Sequence, residues 1–204
     1  AEKDIVLNIA KKLAKKLRKR MGVKVVLTRQ DDSFLHLEDR TAIANAEEAD
    51  LFISLHTNAS PNPRARGMET YYLDNTDDEA SIRLAARENG TSRRRISDLQ
   101  FILSDLTQNS KLEDSITLAH HLHSTVVSHV GRRYGGMKDL GVKKALFYVL
   151  VGAKMPSVLA EISFITNRIE GRRLTRSAYQ NAIADALYKG IKKYHESTLV
   201  VKNL

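Results

Sequence analysis

Short apolar runs, the first of them rich in β-branched residues, alternate along this chain with longer stretches patterned for amphipathic helix. The runs VKVVLT (23–28), LFISL (51–55), GMETYYL (67–73), ALFYVLV (145–151) and SVLAEI (157–162) are each too short for a helix and too apolar for a loop, so they predict strands. Between them, Ile5, Ile9, Leu13 and Leu17 recur every four residues with Lys and Arg interspersed, which predicts a helix ending near Met21 and Gly22. Helical spacing returns over 39–49, over most of 77–130 with breaks near 90–92 and 109–110, and over 177–194. Strands in alternation with helices imply an α/β fold: a single domain over 1–204, with a twisted, largely parallel or mixed sheet flanked by helices. Neither a repeat nor a linker divides the chain.

The 204 residues, 42% of them hydrophobic, are enough for a real core. With no cysteine, thiolate metal sites, disulfide scaffolds and cysteine nucleophiles are excluded. No apolar run reaches the ~20 residues that cross a bilayer. A formal net charge of +9 points to anionic partners. Nucleic acid is one such class, but it rests on charge alone, because the 12 aromatic residues are not interleaved with a basic motif. Lys11, Lys12, Lys15, Lys16, Arg18, Lys19 and Arg20 surround one helix, and Arg93, Arg94 and Arg95 form a second run. Both read first as solvated faces and second as docking patches.

Three ionisable residues stand where such a fold makes them conspicuous. His56 directly follows LFISL, at the carboxyl end of a buried strand, where open α/β sheets place their ligands. Glu161 interrupts the apolar sequence SVLAEISFI, where an unpaired carboxylate costs several kcal/mol or stays protonated. Pairing with an arginine would be the ordinary explanation. Glu2 opens the first helix, where an acidic residue stabilises the helix dipole by ~0.3–1 kcal/mol. Imidazole with carboxylates suits zinc, and a further carboxylate off the metal suits a general base. No short motif such as H-E-x-x-H is present. His120, His121 and His123 point in different directions on one helix and read as solvated or interfacial.

The stretches DRTAIANAEEADLFISLHTNAS (39–60), GMETYYL (67–73) and GVKKALFYVLVGAKMPSVLAEISFITN (141–167), with Glu2-Lys3-Asp4 leading into a helix, resemble the zinc-dependent N-acetylmuramoyl-L-alanine amidases, peptidoglycan hydrolases of the cell-separation type. The resemblance covers nearly the whole chain. It implies a sheet of about six strands, of which five can be placed, and a zinc held by Glu2 and His56, with Glu161 as the catalytic glutamate. A third zinc ligand, a histidine, is expected upstream of Ala1 together with the family's first strand. The resemblance further implies peptidoglycan as substrate and an exported bacterial enzyme of the periplasm or cell wall. It also implies a helical insertion around 88–114, with the apolar stripe Ile96, Leu99, Ile102, Leu103 and Leu106, which covers the cleft until an activator protein displaces it; extra packing is the other account of that segment. A non-catalytic wall-binding domain is the alternative to the enzyme.

Overall fold

A computed structural model describes residues 1–96, 98 and 111–202. The chain is α/β, with an open, mixed sheet of four strands flanked by helices. In chain order the main elements are α1 (Glu2–Met21), α2 (Leu37–Ala46), β1 (Phe52–Asn58), β2 (Met68–Leu73), α3 (Glu79–Glu88), α4 (Leu112–Tyr134), β3 (Asp139–Ala145), β4 (Ser157–Phe164), α5 (Arg168–Leu174) and α6 (Ser177–Lys202). The strand order is β1-β4-β2-β3; β4 runs parallel to β1 and antiparallel to β2, and β2 runs parallel to β3.

Alternation along β4 distributes its side chains between two cores. Val158, Ala160 and Ile162 pack with the apolar stripes of α1, α4 and α6, where Ile5, Ile9, Leu122, Val126, Ile183 and Leu187 are buried. Leu159 points the other way, into a smaller core with Phe52, Tyr71, Ile82, Ala85 and Phe147. Glu161, two residues after Leu159, belongs to this second face. Ile96, the described member of the expected stripe, is buried in the same core. Leu99, Ile102, Leu103 and Leu106 lie outside the described residues.

Three of the five expected strands are present, and two expectations are corrected. Residues 23–28 form no strand, and Val23 and Val26 remain 40% and 43% exposed. β-branched residues gain from a pleated surface only with a strand beside them, and the edge of β1 facing this segment is unpaired among the described residues. Between the two lies a groove of about 1520 Å³, lined by α1, residues 23–28 and β1. The second correction concerns ALFYVLV. The strand there precedes the apolar run, as β3, and residues Tyr148–Leu150 turn into a 3-10 helix. Phe147, Val149 and Leu150 are buried by that turn rather than by a ladder. The sheet therefore has four described strands where about six were expected.

Candidate metal centre

The sheet register builds the site. In the parallel pair β1·β4, His56 stands beside Glu161, and in the antiparallel pair β4·β2, Glu161 stands beside Glu69. Alternation sends all three to the face of the second core. At the carboxyl end of β1 the register shifts between His56 and Asn58, and in β4 Ser163 takes φ 62°, a left-handed conformation that bends the strand just past Glu161. The polar residues thus sit where the sheet opens.

Glu2 reaches the same place from the start of α1. Its Oε1 accepts a hydrogen bond from the Thr57 backbone N–H at 3.0 Å and lies 3.5 Å from His56 Nδ1. The first turn of α1 is therefore docked on the end of β1, and the carboxylate's role is more than a helix-dipole contact. On its other side, His56 Nε2 meets Ser54 Oγ at 3.1 Å. This contact to a residue on the same strand orients the ring and leaves Nδ1 facing the carboxylates.

A fourth residue, not singled out in the sequence, joins them. Glu88, the last residue of α3, places Oε2 3.2 Å from His56 Nδ1. His56, Glu88 and Glu161 each offer a ligand atom, all within 4.8 Å of one another. Arg87 anchors this end of α3: its Nη1 donates to the Ala59 carbonyl at 2.6 Å and its Nε to Glu88 Oε1 at 2.9 Å. No sequence signal marked Glu88, because a glutamate at the polar end of an amphipathic helix is unremarkable until the helix is docked.

Glu161 is fully buried, and neither carboxylate oxygen has a hydrogen-bond partner among the described residues. The arginine that would be its ordinary partner does not reach it. Burial pushes its carboxyl up to about 8, with the Glu88 and Glu2 charges adding to the rise and His56 and Arg87 opposing it. For His56, burial favours the neutral ring. The hydrogen bonds that the ring donates to Glu2 and Glu88, with the nearby Glu161 and Glu88 charges, outweigh it and raise the imidazole to about 10. Burial also raises Glu88, but contacts with His56 and Arg87 prevail and lower it. Three carboxylates around one imidazole, one of them orphaned and buried, form an environment that a divalent cation would neutralise. Nitrogen and oxygen donors in this set fit zinc.

Beside the cluster, Glu69 is buried but satisfied: Tyr71 donates its hydroxyl at 2.6 Å, Lys143 its ammonium at 3.2 Å and Asn58 its amide at 3.3 Å. This is a structural network that the sequence did not reveal. Among the clustered histidines the expectation is corrected for His123. It is buried, with Nδ1 3.1 Å from Thr70 Oγ1 and Nε2 2.8 Å from Asp139 Oδ1, and it ties α4 to β2 and β3. His120 is exposed and His121 half-buried on other sides of the same helix.

Comparison with known proteins bears on the family and the fold. The sequence profile of the family described as N-acetylmuramoyl-L-alanine amidase matches residues 1–193. The amidase AmiA of Escherichia coli (strain K12) is 35% identical over 202 residues, which cover 95% of this chain and 68% of AmiA. Among solved structures, an N-acetylmuramoyl-L-alanine amidase from Clostridium difficile 630 superposes with a TM-score of 0.73 at 31% identity, covering 97% of this chain and 85% of that one. The CwlD amidase from Clostridioides difficile, solved in complex with the GerS lipoprotein, gives 0.71 at 28% identity, covering 96% and 87%.

Proposed function

The chain belongs to the N-acetylmuramoyl-L-alanine amidase family, and from that premise we propose how its residues hydrolyse the amide between N-acetylmuramic acid and L-alanine in peptidoglycan. Glu2 and His56 hold a zinc ion, and Glu161 is the catalytic glutamate. Zinc, when bound, supplies Lewis acidity to the scissile carbonyl and to the attacking water. Glu161 accepts a proton from that water as the new C–O bond forms, and returns it to the alanine nitrogen as the C–N bond breaks. A carboxyl raised to about 8 by burial moves protons readily near neutral pH, and a dication beside it would restore enough acidity for it to start as the base. Ser54 holds the His56 ring, and the Thr57 N–H holds Glu2, so both ligands are fixed before substrate arrives.

The third ligand implied by the family resemblance is a histidine on a strand ahead of Glu2. The edge of β1, unpaired among the described residues, and the apolar groove beside it, lined in part by Glu2, His56 and Glu88, offer such a strand backbone partners and a lining. The contact of Glu88 with His56 supports the reading of 88–114 as a helical insertion that covers the cleft. An activator protein would displace it; that the CwlD amidase forms a complex with the GerS lipoprotein supports a protein partner for this fold. A wall substrate supports export to the periplasm or wall, and the family resemblance adds a role in cell separation; no helix among the described residues is long and apolar enough to cross a membrane. A non-catalytic wall-binding role is not favoured, since it leaves the buried Glu161 without purpose.

The observation that carries this reading is the orphaned carboxylate of Glu161 beside His56. Glu161→Gln is expected to retain zinc, measured by elemental analysis, and to lose release of soluble fragments from purified peptidoglycan. Retained turnover would remove Glu161 from the mechanism. Mass spectrometry of wild-type products should show stem peptides with a free alanine amino terminus; cleavage at any other bond would end the amidase reading.

A further inference from the structure

Far from the metal centre, α1, α6 and α4 form a basic surface that the amidase reaction does not use. On α6, Asp185, Lys189, Lys192 and Glu196 fall at spacings that share one helix face. Asp185 is claimed from the α1 side: Lys16 Nζ lies 2.8 Å and Arg20 Nη1 3.4 Å from its Oδ1, and the Arg20 guanidinium stacks over the Tyr188 ring at 5.2 Å. Glu196 is claimed by Lys192 at 3.5 Å. Both acids of this face are thereby engaged.

On the α4 side, a cleft of about 270 Å³ separates α4 from α6. Its lining includes Ser128, His129, Arg132, Lys189 and Lys193, together with the Lys192–Glu196 ion pair. Arg132, Lys189 and Lys193 have no carboxylate within salt-bridge distance among the described residues. Lys189 Nζ instead meets His129 Nδ1 at 3.3 Å. Burial and the cations Lys189, Arg132 and Arg133 lower the His129 imidazole against the opposing charge of Asp185, so the ring stays neutral beside the ammonium. A solvated surface ordinarily mixes both signs of charge. Here three cations without a carboxylate partner among the described residues converge on one concavity beside the self-paired Lys192 and Glu196, with a hydroxyl and a neutral imidazole at hand, a donor set that suits phosphate.

The cleft is also remote. α1 and α6 run parallel, because Lys12 meets Ser177 while Arg20 meets Asp185. From Glu2 to Arg20 the axis of α1 extends about 27 Å, and Lys189 lies one turn farther along α6. Lys12, Lys16 and Arg20 stand at four-residue intervals, about 6 Å apart along the axis; Lys16 and Arg20 share the one carboxylate of Asp185, so the row keeps an excess of positive charge and the basic surface is elongated rather than a single point. A linear polymer with one phosphate per short repeat matches such a row.

We propose that the cleft between α4 and α6, extended by the basic face of α1, anchors a linear phosphodiester polyanion of the bacterial wall, seated by Arg132, Lys189 and Lys193. The choice of a wall polymer rests on the amidase reading; the anion site rests on the cleft itself. Anchoring there leaves the catalytic end of the molecule free and keeps the enzyme against the wall between cleavage events.

The test uses the full chain and a synthetic oligo(glycerol phosphate), with affinity measured by calorimetry at several salt concentrations. The wild type is expected to bind with strong salt dependence. In Arg132→Gln/Lys189→Gln/Lys193→Gln, affinity should fall by about tenfold or more at low salt, and the log–log salt slope should flatten by about 2. A control with three remote exposed cations changed, Arg64→Gln/Arg94→Gln/Lys154→Gln, should bind much as the wild type does. Turnover of a small soluble muramyl peptide should be the same in all three, and circular dichroism should show them equally folded. Wild-type affinity in the cleft variant, or an equal loss in the control, would overturn the site. Tighter binding of duplex DNA of equal phosphate number through the same three residues would replace the wall polymer with nucleic acid. Absence of turnover with polymer binding intact would sink the amidase reading and leave the anion site standing.

Discussion

Glu161 is a side chain that the fold tolerates only as part of a larger charge arrangement. An isolated buried carboxylate is among the costliest groups a core can hold, yet neither of its oxygens has a hydrogen-bond partner among the described residues. What lies near is His56, held cationic at ordinary pH by Glu2 and Glu88. The four residues are thus a small electrostatic unit in which one positive charge serves three carboxylates. On the proposed mechanism, Glu88 is the member whose presence would work against the reaction. A catalytic zinc keeps one coordination position open for water, and a carboxylate 3.2 Å from the His56 nitrogen that faces the cluster competes for that position. Glu88→Gln removes the competing charge while keeping the side chain's size and its contact with Arg87. Turnover on purified peptidoglycan is expected to rise by about tenfold, corresponding to a barrier lower by about 1.4 kcal/mol, with zinc content unchanged. If the variant lost zinc together with activity, Glu88 would be a required ligand and not a competitor.

At the scale of elements, the most extensive contact among the described residues is between α4 and α6. A Cβ on Gly190 would lie 2.9 Å from the Leu122 Cα and 3.1 Å from the His121 carbonyl oxygen, so the two helix backbones approach as closely as they do only because residue 190 has no side chain. Gly190→Ala sets two effects against each other. Alanine gains about 1 kcal/mol of helix propensity, whereas overpacking against backbone costs about 1–3 kcal/mol. Backbone cannot yield as a side-chain tip can, so the variant should be less stable, with a lower midpoint in thermal unfolding; an unchanged or higher midpoint would show that the helices can separate at little cost. This level of the structure also shows what the sequence could reveal. Strands β1, β2 and β4 were legible because each is a short apolar run, and α1 and α6 because their stripes repeat over many turns. Residues 23–28 carry the same strand pattern and form none: pattern records what a segment could bury, whereas a ladder also needs a neighbour. β3 was misplaced because its own residues, DLGVKKA, are polar and half-buried at one side of the sheet, while the apolar run after it is buried by a turn. His56, Glu161 and Glu2 were legible as anomalies of position. Glu88, Glu69 and His123 were not, since each acquires its partners only when separate elements dock.

For the molecule as a whole, the candidate metal centre joins the start of α1, the end of α3 and two strands, so zinc bound there should stabilise the entire fold. At a free zinc concentration about 1,000 times the dissociation constant, the gain is about 4 kcal/mol. At about 2–4 °C per kcal/mol for a chain of this size, it should appear as a large rise in the unfolding midpoint. The pH dependence follows from the two raised groups. His56 is raised to about 10, so the stability it contributes to the metal-free protein is complete below its unfolded value of 6.5 and is lost as pH climbs through about 10. Glu161 is raised to about 8: its folded site favours the neutral carboxyl, and the metal-free protein loses stability as pH rises from 4.5 through about 8. Both groups therefore make the metal-free molecule weaker towards alkaline pH. Zinc acts in the opposite sense, because its ligands must give up their protons before they bind, and its affinity grows over the same range. The difference in midpoint between zinc-loaded and chelator-treated protein should consequently widen from pH 6 to pH 8. In Glu161→Gln that widening should be smaller, since one of the two titrating groups is gone. A gap that stays constant or narrows across this range, measured in thermal scans at matched ionic strength, would mean that zinc binds somewhere other than beside His56 and Glu161.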